Sequence, residues 1–262
     1  RWGRYHGMGV MRYPNGDAYH GQWERGLRSG RGRYEHSKTG DVYDGSFCAD
    51  VRSGCGILCF ADGDVYEGEF QHDVMHGEGE MRHASGSSYR GQFVDGLQHG
   101  RGRQTLADGR VFEGQFREDA LEGQGTCHLA DGSIYQGTFR RGAFEGHGTL
   151  RFTDGHVYQG SFAGGMMDGE GEYWSPDRRS IYRGQFVEDA QHGQGLYTSP
   201  SGHVYEGQFR DDMPQGRGRM QYADGRVEEG CFEDGQFVSK CIDLLCETPE
   251  QRSRAEIAAL GG

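Results

Sequence analysis

The sequence is short of most of what a globular enzyme is built from. Hydrophobic residues make up 34% of its 262 residues and the mean hydropathy is −0.84. Little apolar surface is therefore available to offset the entropy of ordering the chain. Lysine occurs only as Lys38 and Lys240, no basic run is present, and the net charge is −12. This excludes nucleic acid as an expected partner, because phosphate backbones need clustered positive charge. It also disfavours plain electrostatic attraction to an anionic membrane surface. The arginine groups Arg28/Arg31/Arg33 and Arg178/Arg179 read as solvated faces. No apolar run approaches the length of a membrane-spanning helix, and no signal-peptide pattern is visible.

Motifs for chemistry are equally scarce. The seven cysteines contain no C-x-x-C pair, and Cys55/Cys59 and Cys241/Cys246 are spaced too loosely for a zinc knuckle. Their scatter points to a reducing, intracellular compartment. No G-x-S-x-G elbow and no cysteine-centred nucleophile motif occurs, and none of the Gly-x-Gly pairs completes a G-x-G-x-x-G phosphate loop. The Asp-Gly pairs lack the spaced acidic residues of an EF-hand loop. His6, His76, His99 and His192 fall at one position of separate copies of a repeat, which is repetition and not a cluster. The expectation is no catalytic residue, no metal and no cofactor.

Glycine and aromatic rings, by contrast, are abundant and ordered. There are 48 glycines, and nineteen aromatic side chains occupy two positions of one recurring segment. Its clearest copy, Tyr66 to Glu78, reads Y-E-G-E-F-Q-H-D-V-M-H-G-E. The aromatic-x-Gly-x-aromatic signature recurs at Tyr19, Tyr43, Tyr66, Tyr89, Phe112, Tyr135, Tyr158, Tyr182 and Tyr205, with a degenerate copy at Glu228/Gly230/Phe232. The step is 23 residues, stretched to 24 twice, around 36–41 and 175–179. Self-similarity at such a period marks a repeat array.

Each unit reads as strand, glycine-bearing loop, strand and turn. Alternation puts Tyr66, Gly68 and Phe70 on one face of the first strand, with Glu67 and Glu69 on the other. The second strand follows Gly77-x-Gly79. Asn15-Gly16, Asp62-Gly63, Asp108-Gly109, Asp131-Gly132, Asp154-Gly155 and Asp224-Gly225 read as hairpin turns with both central residues at positive φ. The fold class is all-β: an elongated single-layer antiparallel β-meander of about ten hairpin repeats, about 100 Å long at about 4.8 Å per strand. Glycines beside rings let the rings lie over the backbone as a strip. The meander spans 1–238, and the tail 239–262 carries a short helix over about 249–260, from Thr248 as N-cap and Pro249 at the first helical position to Gly261-Gly262.

A unit of the form Y-E-G-E-F-x(6)-G-x-G closed by D-G resembles the MORN (membrane occupation and recognition nexus) repeat, from about Tyr5 to Phe232. His76-Gly77, His99-Gly100 and His192-Gly193 match a pair frequent in that family. The resemblance implies a single-layer ribbon serving as a scaffold at membrane junctions, in ciliary, flagellar or other cytoskeletal assemblies, or as an appendage of a larger enzyme. It also implies an aromatic groove able to hold a partner, expected here at Tyr66, Phe70, Tyr89, Phe93, Phe112, Phe116, Tyr135 and Phe139. Expected occupants are an amphipathic helix or a second ribbon, including a homodimer. The leading reading is a non-catalytic scaffold, intracellular and cytoskeletal. A membrane-associated tether or phospholipid-binding module is the alternative, and a targeting segment of a larger enzyme is a third, since Arg1 stands in place of an initiator Met.

Overall fold

Tyr66, Gly68 and Phe70 do share one side of an extended segment, and the same alternation sets every strand of its kind. The computed structural model describes residues 4–239. They fall into two compact units divided between Ala143 and Phe144. The first contains β1 (Gly7–Arg12), β2 (Ala18–Glu24), β3 (Leu27–Glu35) and β4 (Val42–Cys48). It continues through β5 (Val51–Cys59), β6 (Val65–Gln71), β7 (Val74–Arg82) and β8 (Ser88–Val94). It ends with β9 (Leu97–Thr105), β10 (Val111–Arg117), β11 (Ala120–His128) and β12 (Ile134–Arg140). The second unit holds all but the first residue of β13 (Ala143–Arg151), then β14 (Val157–Ala163), β15 (Met166–Trp174) and β16 (Ile181–Val187). Then come β17 (Ala190–Thr198), β18 (Val204–Arg210), β19 (Met213–Gln221), β20 (Val227–Glu233) and β21 (Gln236–Ser239).

Within each unit consecutive strands pair antiparallel, as expected of a hairpin meander, and the described residues contain no helix. The helix expected at 249–260 lies outside the described residues.

The turns differ from the sequence reading. Where a glycine-bearing loop was expected after Phe70, the chain makes a two-residue turn. His72 and Asp73 have φ of 49° and 69°, and β7 starts at once at Val74. Both central residues are left-handed, which is the type I′ geometry that matches strand twist. Gly77 and Gly79 therefore lie inside a nine-residue strand. The Asp-Gly turns expected from the sequence, such as Asp62-Gly63, are the other kind. Only Gly63 is left-handed there; its N–H donates to the Phe60 carbonyl at 3.1 Å, and the Phe60 N–H donates to the Asp64 carbonyl at 2.9 Å. This is a three-residue loop, longer than an Asn-Gly or Asp-Gly pair alone suggests. The two 24-residue copies absorb their extra residue in such loops, at His36–Asp41 and Ser175–Ser180.

Side chains tie hairpins to their neighbours at both ends. At the two-residue turns Asp73 accepts from the Arg52 backbone N–H at 2.9 Å; Asp119 does so from Gln98 and Asp212 from Gln191, each at 2.8 Å. At the opposite end Asp17 accepts from the Ser37 N–H, Asp41 from Ala61 and Asp64 from Ala84, at 2.9–3.0 Å. A hairpin alone is marginal; these bonds and the shared ladders make the stack the stable object.

Candidate functional site

The eight rings expected to line a groove are brought together, but as core. Tyr66, Phe70, Tyr89, Phe93, Phe112, Phe116, Tyr135 and Phe139 are only 0–8% exposed. Each regular phenylalanine sits edge-on between two tyrosines. Phe93 lies 5.1 Å from Tyr66 and 5.1 Å from Tyr89, and Phe116 follows at 5.0 Å from Tyr89. Tyr135 meets Phe139 at 5.1 Å, while Phe112 reaches Phe139 at 6.2 Å. The quadrupoles of the rings favour these edge-to-face contacts. The Tyr66 hydroxyl donates to the Glu69 carbonyl at 2.9 Å, so its polar end is satisfied within the chain.

The expectation that these rings stand open to a partner is thus corrected. The rings cover one another, and the second strands add Met81, Leu58, Leu121 and Cys127 to the same buried face. Phe112 lacks the hydroxyl of its counterparts, and the Leu121 side chain reaches over Gly114 in its fold-back, where a Cβ would meet Leu121 Cδ1 at 2.8 Å.

An accessible part of this face lies in the first unit, between β3 and β6. A cleft of about 340 Å³ is lined by Arg28, Tyr34, His36, Asp41, Tyr43, Phe47, Arg52, Leu58, Phe60 and Asp73. Tyr43 and Phe47 are its buried floor; Tyr34, His36 and Phe60 are partly exposed walls. Two guanidinium groups close one end. Arg28 Nη2 donates to the Asp50 carbonyl at 2.6 Å, and Nε pairs with Asp50 Oδ1 at 3.3 Å. Arg52 repeats this on Asp73, at 2.6 Å and 3.1 Å. Each cation also lies over rings: Arg28 at 4.9 Å from Tyr34 and 5.0 Å from Phe47, Arg52 at 5.2 Å from Phe70. Such contacts fix the guanidinium planes while leaving donors to spare.

Electrostatics at the other end are equally defined. The Tyr34 hydroxyl donates a short hydrogen bond to Asp17. That bond, with the Ser37 N–H, holds the Asp17 carboxyl well below the usual carboxylate range. Burial, reinforced by Asp17, pushes the Tyr34 phenol up to about 12, and burial alone accounts for most of the rise of Tyr43 to about 12. The cleft offers apolar walls and two guanidinium groups anchored by Asp50 and Asp73. It can hold an apolar side chain and accept carbonyl or carboxylate oxygens.

Sequence reasoning missed this site because it read Arg28 with Arg31 and Arg33 as one solvated group. Arg28 turns to the ring face, whereas Arg31 and Arg33 are exposed on the opposite one. The available signal was positional: Arg28 and Arg52 occupy the slot filled by Met75, Gln98 and Leu121 in later copies. Among the described residues no group of His, Cys, Asp and Glu is arranged to hold a metal ion.

The repeat seen in the ladders is matched by a family model. The MORN repeat model fits ten consecutive segments: 1–18, 19–38, 43–65, 66–88, 89–109, 112–134, 135–157, 158–178, 182–204 and 205–225. The chain belongs to the MORN repeat family. This MORN protein matches no curated protein. Among solved structures it is similar to the TCP10 domain of Danio rerio CPAP, with 15% identity, a TM-score of 0.31, and coverage of 84% of this chain and 86% of that one. It is also similar to the SAS-4 (dCPAP) TCP domain of Drosophila melanogaster in complex with a proline-rich motif of Ana2 (dSTIL), with 12% identity, a TM-score of 0.38, and coverage of 66% and 88%. Likeness at these scores carries no argument about function. Membership of the MORN family makes the chain an interaction module.

Proposed function

We propose that this MORN protein is a non-catalytic scaffold that docks or spaces protein partners in a cytoskeletal assembly such as a cilium or flagellum. The observation that carries the docking role is the cleft between β3 and β6. Its walls Tyr34, Leu58 and Phe60 are apolar, and Arg28 and Arg52 are held in place by Asp50 and Asp73. A partner segment enters with an apolar side chain against Phe60 and presents oxygens to the two guanidinium groups. Hairpins tied to their neighbours at both ends supply the rigid platform that such a site requires. The cytoskeletal setting rests on the family resemblance.

Affinity capture from cells with the tagged chain, beside a Phe60→Ser variant, tests the reading. Recovery of cytoskeletal proteins by the parent and their loss from the variant supports it. Recovery of membrane-junction proteins together with lipid, and flotation with anionic vesicles that high salt abolishes, replaces it with a membrane tether.

A further inference from the structure

The face opposite the rings carries a charge order that the register of β6 to β10 makes explicit. Glu67 lies directly across from Glu80, Glu80 from Arg90, Arg90 from Arg103, and Arg103 from Glu113. Nearby on the same face, Glu69 and Glu78 extend the acidic half on β6 and β7, and Arg101 extends the basic half on β9. Like charges placed directly across a ladder destabilise it, and here two such pairs adjoin. Arg82 bridges Glu80 at 3.1 Å and Glu67 at 3.5 Å, and Arg103 bridges Glu113 at 2.9 Å, so each half is partly balanced at its margin. Glu69, Glu78, Arg90 and Arg101 are exposed and form no ion pair among the described residues. A face meant only for solvent gains nothing from sorting its charges into two blocks.

We infer that this face is a self-complementary interface between two copies of the chain. The block order, acidic on β6 and β7 and basic on β8 and β9, is its own complement under a two-fold axis parallel to the strands and passing between β7 and β8. Such an axis sets Glu80 over Arg90 of the second copy, Glu67 over Arg103 of the second copy, and the reverse pairs by symmetry, which is an isologous contact. Sheets stacked face to face stand about 10 Å apart, a gap that Glu and Arg side chains span together. Val94 and Leu97, opposite each other on the same face, with Val74 on the neighbouring hairpin, add an apolar margin; they are 38–41% exposed. Four strands by about six residues give about 400 Å² per copy. That is the small end of specific interfaces, so the dimer is weak and its strength depends on salt. The cleft between β3 and β6 lies on the other face and is left free.

Sedimentation velocity of the full chain tests this, with Glu67→Arg/Glu80→Arg, with Arg90→Glu/Arg103→Glu, and with the two variants mixed. The substituted side chains are exposed or half-buried, and circular dichroism of each variant confirms the fold. The parent chain is expected to dimerise at low salt and to dissociate toward 1 M, where the screening length falls to about 3 Å. Each variant alone, with like charges facing each other where position 80 meets 90 and position 67 meets 103 of the second copy, is expected to bind itself at least about tenfold more weakly. The mixture is expected to recover a heterodimer. A parent chain that stays monomeric at low salt, variants that dimerise like the parent, or a folded mixture that does not associate would each overturn the proposal.

Discussion

The ring of Tyr66 lies flat on Gly79: a Cβ built at that glycine would stand 2.5 Å from the Tyr66 hydroxyl oxygen and 2.7 Å from the ring. The same hydroxyl donates to the Glu69 carbonyl, so ring, glycine and strand bulge form one unit. Gly68 faces Gly79 across the ladder and is as crowded, with its own Cβ position 2.5 Å from the hydroxyl. Gly79→Ala is therefore expected to cost about 1–3 kcal/mol, the range for forcing atoms into a packed core. Tyr66→Phe, which removes only the hydrogen bond, costs about 1 kcal/mol. Denaturant midpoints of the two variants check the order.

Phe93 and Phe116 probe the core. Both are buried, Phe93 between the edges of Tyr66 and Tyr89 and Phe116 against Tyr89, and replacement by Ser leaves a cavity and a stranded hydroxyl. A loss of about 3–5 kcal/mol is expected from the Phe→Ala range. Amide exchange should accelerate first in β8 to β10. Exchange unchanged in those strands would contradict the packing described.

Asp73 has two duties that one substitution separates. It sits at positive φ in the turn, and its carboxylate accepts from Arg52 in the preceding hairpin. Asp73→Gly keeps the turn geometry and deletes the tie. About 1 kcal/mol is expected, below the usual range for a charge-assisted bond because the pair is partly exposed. The Arg52 amide should lose protection while the strands of β8 and beyond keep theirs.

Alkali should unfold the chain through its core tyrosines. Burial pushes Tyr43, Tyr89 and Tyr205 up to about 12, and Tyr66, Tyr158 and Tyr182 further. A raised phenol pKa contributes stability that is whole below the unfolded value near 10 and is lost as pH rises through the folded value. Phenolate absorbance for these residues should thus appear only above pH of about 11, together with loss of the strand signal. Titration of all fourteen tyrosines near pH 10 with the fold intact would refute their burial.

The strands were legible because alternation and a 23-residue step leave little freedom: Tyr66-x-Gly68-x-Phe70 admits one facing, and the ladders show it. The turns were read less well. Asp62-Gly63 looks like a two-residue turn, but its glycine alone is left-handed, while the true two-residue turn, His72-Asp73, contains no glycine at all. Non-glycine residues at positive φ are uncommon, so local preference does not announce them; the ladders on both sides impose the conformation. The ring face was legible as a strip and misjudged as open, because burial depends on edge contacts between copies that no single unit contains. Arg28 and Arg52 were hidden for a related reason. Their role follows from which face they take, and that is settled by the bulge after Gly45 and its equivalents.

Because every ladder within a unit joins neighbours along the chain, the separation between paired residues never exceeds about one repeat. Most all-β folds must close long loops before their strands meet, and their folding slows accordingly. Here the average separation, taken as a fraction of chain length, shrinks with each hairpin added. Duplication of a unit can lengthen such a protein without making it slower to fold.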